Sequence, residues 1–318
     1  MRKLIMSSAY ATGTYERIDI AFRTDDGITL RGWHFLPASV KKGPQPLIIM
    51  HHGFSAVKEG YPEHFFEEYF AAAGFGVLTY DPRSLGESGG RIRQEIDPFL
   101  QIADFRDAIS FALTLPGVDP ECVGVWSASY GGGTAVQALA MDHRVHCLVS
   151  TVPFLSGGAI WNTLPAEVRQ NMLRMFETDR RQRAAGQAPQ TVAIVAEDPA
   201  STPCILPTKN SWEWCMRVAA AAPNWRNEVT VRSLESQFCF EPMAYISRIT
   251  PRSFLLIGAE NDDLIPVALT REAFERARCP VKELIVFPCG HYSCYDDYFF
   301  QTAKASLGWF DRHLRPAV

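Results

Sequence analysis

Residues 124–133 read GVWSASYGGG, from Gly124 to Gly133, and place two serines between an apolar run and three glycines. A sharp strand-to-helix turn that presents a serine hydroxyl needs small residues two before and two after it, because larger side chains there collide. For Ser129 those neighbours are Ser127 and Gly131. For Ser127 they are Val125 and Ser129, and the β-branched Val125 fits poorly. The stretch therefore makes Ser129 the candidate nucleophile and Ser127 its small flanking residue. It departs from G-x-S-x-G only in having serine at the first small position.

The surroundings supply the strand and the helix that such a turn needs. The apolar stretch Cys122 to Trp126 runs in, and YGGGTAVQALAM runs out with helical spacing. Upstream, PLIIMHHGF is a short apolar run ending in glycine. HFFEEYFAAAG then puts Phe65, Phe66, Tyr69, Phe70 and Ala73 on one helical face, with Gly74 as its stop. FGVLTYDPRSLGESGG is a strand and turn, DFRDAISFALTLPGV a helix, and VHCLVSTVPF a further strand. After an interruption, PRSFLLIGAENDDLIP, ALTREAFERA, VKELIVFP and YFFQTAKASLGWFDRHL resume the alternation. Apolar strands alternating with helices predict a mostly parallel sheet covered on both faces. YERIDIAFRTDDGITLRGWHF alternates apolar and polar residues around Asp26-Gly27, which predicts an antiparallel hairpin at the sheet edge.

The chain has 318 residues, 47% of them hydrophobic and 21% charged, with a formal net charge of −4 and no run of one sign. That length suits one large α/β domain with an insertion and can bury a sizeable core. The charge offers no footprint for nucleic acid. No stretch approaches the roughly 20 apolar residues of a membrane span, and the apolar part of MRKLIMSSAYATG is too short for an export signal. A cytoplasmic location is expected, with the eight cysteines reduced. Cys289, His291 and Cys294 lie close in sequence but lack a second ligand pair at a zinc spacing, so no metal and no cofactor are called for.

His291 has a different use. It follows the last strand, and GAENDDLIP follows the strand before it, giving the order serine, acid, histidine, each on a loop after a strand. In a parallel sheet those loops share one edge, so the three converge. A serine hydroxyl attacks only when a base takes its proton, and an acid must hold that base in the right tautomer. Asp262 and Asp263 compete for the acid; Asp262, four residues before Pro266, is favoured, with Glu260 third. The other aspartate caps the turn. The oxyanion formed by attack requires preorganised donors, assigned to the backbone N–H groups of Tyr130 and of Phe54 in HHGF. His51 and His52 read as strand-end packing.

Taken together, HHGF, DPRSLGESGG, SASYGGG, GAENDDLIP and CGH resemble the α/β-hydrolase superfamily over nearly the whole chain. The fold class expected is an α/β-hydrolase sheet with helices on both faces and an inserted helical lid. Residues 1–152 would form the first part of the core, 153–247 the lid and 248–318 the second part. WRNEVTVRSLE followed by EPMAYISRITPRSFLLIGAENDDLIP is similar to a narrower group, the polyketide transferases and thiohydrolases of fungal polyketide pathways. That resemblance implies a small-molecule acyl substrate taken from a thioester onto the serine, with an acyl carrier protein as a presenting partner, and passed to water or an alcohol.

The insertion holds four of the seven tryptophans, and AEVRQNMLRMFETDRRQR reads as an amphipathic helix with Val168, Met172, Leu173, Met175 and Phe176 apolar. Trp161, Met172, Phe176 and Trp212 are the candidate substrate-binding residues for a long or cyclic acyl group, against the alternative that they form the insertion's own core. Arg180, Arg181 and Arg183 are candidates for meeting a carrier, against that of a solvated helix face. The competing functions are a general carboxylesterase, a lidded peptidase, a carbon–carbon bond hydrolase, a binding module and a cyclisation scaffold on the same fold.

Overall fold

The computed structural model describes residues 13–38, 45–60 and 65–315. The apolar part of MRKLIMSSAYATG, weighed above as an export signal, lies within residues 1–12, outside the described residues. Eight strands form one sheet in the order β1-β2-β4-β3-β5-β6-β9-β10. β1 (Tyr15–Arg23) and β2 (Thr29–Pro37) are the antiparallel hairpin read around Asp26-Gly27, where Gly27 turns with φ +84°. β2 also runs antiparallel to β4 (Gly76–Tyr80). β4, β3 (Gln45–His51), β5 (Val118–Ala128), β6 (Cys147–Thr151), β9 (Ser253–Ala259) and β10 (Val281–Phe287) are all parallel.

Helices cover the sheet. They are α1 (Phe66–Ala72), α2 (Pro98–Ala112), α3 (Tyr130–Leu139), α8 (Val267–Arg276) and α9 (Phe299–Leu314). The central strands are covered on both faces, which is why they read as continuous apolar runs: Leu47, Ile48, Ile49 and Met50 are all wholly buried. Against them, the Phe66 ring lies 4.4 Å from Trp126 and 4.7 Å from Phe299, joining α1, β5 and α9. Each such side chain contributes about 1.5–3 kcal/mol by leaving water.

Between β6 and β9 the chain leaves the sheet. It forms α4 (Gly157–Thr163), α5 (Ala166–Ala184), α6 (Lys209–Ala221) and α7 (Val231–Phe238), with a short antiparallel ribbon of β7 (Thr191–Val192) and β8 (Val229–Thr230). α5 matches the amphipathic helix expected from sequence except at Val168 and Leu173, which are 37% and 52% exposed. Phe176 is buried against Val231 and Leu234 of α7.

The loops after β3 and β4 are locked together beneath the sheet edge. The wholly buried Asp81 accepts from the Lys58 N–H at 2.7 Å, the Lys58 ammonium at 2.9 Å and the Glu87 N–H at 2.8 Å. The Lys58 ammonium also donates to Glu87 at 2.7 Å. Burial opposes its charge, yet Asp81 and Glu87 raise the Lys58 pKa above its ordinary value. Lys58→Met leaves Asp81 as an unpaired buried charge and should cost about 3–5 kcal/mol in denaturant unfolding. Adding Asp81→Asn should return part of that loss.

Candidate active site

Ser129 stands between the end of β5 and the start of α3 with φ 51° and ψ −123°, a conformation disfavoured for any residue with a side chain. Its backbone is held from both sides: its N–H donates to the Thr151 carbonyl at 2.9 Å, and its carbonyl accepts from Phe154 N–H at 2.8 Å and Gly132 N–H at 2.9 Å. A Cβ on Gly131 would lie 2.2 Å from the His52 carbonyl, and one on Gly133 would lie 2.3 Å from the Phe154 carbonyl. These glycines let α3 approach the loops after β3 and β6. Ser127 is wholly buried and donates to Val149 carbonyl at 3.3 Å and Ser150 hydroxyl at 3.1 Å, which accounts for a serine at the small flanking position.

The Ser129 hydroxyl makes no helix-capping bond and lies 3.1 Å from His291 Nε2. His291 Nδ1 lies 2.7 Å from Asp262 Oδ2, and both side chains are 2% exposed. The other oxygen of Asp262 accepts the Leu264 and Ile265 N–H groups at 2.9 and 2.8 Å, which fixes the carboxylate. The three loops thus meet at the carboxyl edge of the sheet in an unbroken hydrogen-bonded series. Such a series can move a proton off a serine and steady the resulting imidazolium.

Of the rival acids, Asp263 accepts, among the described residues, only a 3.3 Å bond from Asn210 Nδ2, and Glu260 pairs with Arg271 on the surface. Phe54 and Tyr130 flank the serine, their rings edge-to-face at 5.5 Å. Tyr130 opens α3, so its N–H has no intrahelical acceptor. His51 is wholly interior, where burial, aided by His52, lowers its pKa to about 3. His52 Nε2 lies 2.7 Å from Thr79 Oγ1 and 3.2 Å from Glu67, so both histidines serve packing beneath the sheet edge. Cys289 and Cys294 lie sulfur to sulfur at 3.7 Å.

Ser129 and His291 open into a cavity of about 710 Å³ between the sheet edge and the insertion. Met172 lines it, as the sequence suggests. Trp161, Phe176 and Trp212 do not: Trp161 packs edge-on against Phe238 at 5.0 Å, Phe176 sits in the small core with α7, and Trp212 packs at the side of α6. In their place Trp214, Trp225, Met175, Phe238, Tyr292 and Tyr295 form the wall. The signal for Tyr292 was its place beside His291; nothing local marked Trp214 over Trp212. Arg180, Arg181 and Arg183 pair with Glu235, Glu177 and Asp179 of the insertion itself.

α6 is fastened to both loops that carry the acid and the histidine. Besides the Asn210–Asp263 bond, Tyr292 OH donates to Ser211 Oγ at 3.1 Å, Trp214 stacks on Tyr292 at 5.5 Å, and Arg217 pairs with Asp296 at 2.5 Å.

The chain belongs to the alpha/beta hydrolase fold family, whose model matches residues 46–298. It is 33% identical over 268 residues to the thiohydrolase aneE of Aspergillus aculeatus, covering 82% of this chain and 81% of that one. It is 29% identical to the polyketide transferase ATR5 of Stachybotrys chlorohalonatus, covering 87% and 91% of the two chains. The crystal structure of the alpha/beta hydrolase GrgF from a Penicillium species superposes with a TM-score of 0.80 at 26% identity, over 94% of this chain and 99% of that one.

Asp262→Asn removes the acceptor for His291 Nδ1–H and favours the wrong tautomer. If the series works as a catalytic triad, this change should lower kcat on an activated ester by about 10⁴-fold with the fold unchanged by circular dichroism.

Proposed function

We propose that the chain is a serine acyl hydrolase or acyltransferase that takes an acyl group from a thioester onto Ser129. The observation that carries this reading is the Asp262–His291–Ser129 series, with bonds of 2.7 and 3.1 Å, opening into a largely apolar cavity. The reading assigns residues 153–247 as a lid over that cavity. Its walls are thioether, aromatic and aliphatic groups, suited to a long or cyclic acyl chain rather than to a charged one. The names of the fungal relatives, thiohydrolase and polyketide transferase, support a polyketide acyl thioester as the substrate class; presentation on a carrier-bound pantetheine is a further part of the proposal.

In this mechanism His291 Nε2 removes the Ser129 proton as Oγ attacks the thioester carbonyl. Asp262 stabilises the imidazolium, and the N–H groups of Phe54 and Tyr130 hold the oxyanion. The C–S bond breaks, the thiolate leaves with the proton from His291, and an acyl-Ser129 ester remains. Water or an alcohol then enters on the same side. His291 takes its proton, the new C–O bond forms, and the Ser129 ester breaks as its oxygen regains the proton.

Intact-protein mass spectrometry after brief exposure to medium-chain acyl-pantetheine thioesters checks this directly. The wild type should gain the acyl mass and release thiol, and Ser129→Ala should do neither. An adduct from simple aryl esters but never from thioesters would favour the carboxylesterase reading. Product formation that survives Ser129→Ala would favour a cyclisation scaffold.

A further inference from the structure

Asp263 is left over by the triad. It follows Asp262 directly and lines the same cavity, where it is exposed to solvent. Among the described residues lining that cavity there is no other carboxylate and no lysine or arginine. The side-chain partner of Asp263 is a neutral amide, Asn210 Nδ2 at 3.3 Å, so its charge meets no cation there. Being hydrated, this carboxylate needs no partner, and it is the one formal charge among the described lining residues, so it sets the sign of the local field.

Its position bears on which part of the substrate it meets. An incoming nucleophile must bring its oxygen within hydrogen-bond distance of His291 Nε2, at the place the leaving thiol has vacated. The side chains beside His291 and Asp262 therefore face the acceptor, while the wall from α4, α5 and α7, with Leu164, Met172, Met175 and Phe238, suits the acyl chain. On the histidine side, Asp263 is joined by the aromatic side chains Trp214, Tyr292 and Tyr295. Ring faces attract cations and repel anions. One cation already sits in this way, since the Arg217 guanidinium lies 5.3 Å over the Trp214 ring.

Resting on the acyl-enzyme reading above, we propose that Asp263 marks an acceptor subsite beside His291 that takes an alcohol carrying a cationic group. The alcohol gives its proton to His291 Nε2 and forms an ester with the acyl carbon. The C–Oγ bond to Ser129 breaks, and Oγ takes the proton from His291. Through this step the positive group of the acceptor stays against Asp263. Water lacks such a group, so the subsite biases the acyl-enzyme toward transfer.

The test uses choline and its longer hydroxyalkyl-trimethylammonium homologues, each beside its neutral isostere (3,3-dimethyl-1-butanol for choline) and an ω-hydroxy acid of equal length. The full-length enzyme is first loaded from an acyl-pantetheine. The readout is the ratio of ester to free acid formed, which does not depend on how much enzyme is active. At the chain length that spans from His291 to Asp263, the cationic alcohol should give about fivefold more ester than its isostere, and the hydroxy acid less, as for a partly exposed ion pair. Added salt should shrink that preference. Asp263→Asn should abolish it, and Asp263→Lys should turn it toward the hydroxy acid.

Equal ratios for cation and isostere at every length, or a preference that survives Asp263→Asn, would overturn the subsite while leaving the acyl-enzyme intact. Failure to form any acyl-Ser129 would overturn the reading beneath it and the subsite with it.

Discussion

The backbone of Ser129 is the constraint on which the rest depends. A non-glycine residue at φ 51° and ψ −123° costs on the order of 1–3 kcal/mol, and it persists only where the surroundings over-determine it. Here three backbone bonds, to Thr151, Phe154 and Gly132, fix it from β6, the loop beyond it and α3. Those partners stay in place because β5 and β6 pair in register from Gly124↔Cys147 to Ala128↔Thr151 in the middle of the sheet. The turn also turns the hydroxyl away from capping α3, leaving it to His291. Strain in one residue is thus converted into direction for one oxygen.

The sheet and this turn were legible because their causes are local. Strands buried on both faces must be apolar throughout, helices must repeat every three to four residues, and the tight turn admits only small neighbours. The loops after β9 and β10 had to lie near Ser129 once the sheet was parallel, so His291 and an aspartate could be named from order alone. Choosing between adjacent aspartates could not follow from order. The sequence favoured Asp262 on a single spacing, its place four residues before Pro266; in the structure the Leu264 and Ile265 N–H groups both reach Asp262 Oδ1, and its other oxygen lies against His291.

The insertion was far less legible, for a physical reason. Its helices meet other pieces of the insertion, and a helical pattern does not state its own rotation against an unknown partner. Trp212 and Trp214 are two residues apart on α6, about 200° around a helix of 3.6 residues per turn, so one cavity can receive only one of them. Met175 and Phe176 differ too: Met175 reaches the cavity as well as the small core with α7, whereas Phe176 is buried in that core. Apolar character was correct for all of them; direction was set by tertiary packing.

That packing gives the insertion two unlike halves. α6 is bound to the acid and histidine loops by a hydrogen bond from Asn210, one accepted by Ser211 from Tyr292, ring stacking at Trp214 and the Arg217–Asp296 pair. Among the described residues, the polar side-chain contacts of α5 all stay within the insertion, including those of Arg180, Arg181 and Arg183, and toward the cavity it offers Met172 and Met175. Displacing α6 would break several oriented contacts and disturb the loop that holds His291. Displacing α5 would break none with either triad loop. The half that touches the loops of Asp262 and His291 is therefore the directional one, which is what the proposed function asks of a surface presenting an acceptor to a fixed base. The other half relies on non-directional apolar contact, which under the proposed function would accommodate acyl chains of differing shape without moving the Asp262–His291–Ser129 series.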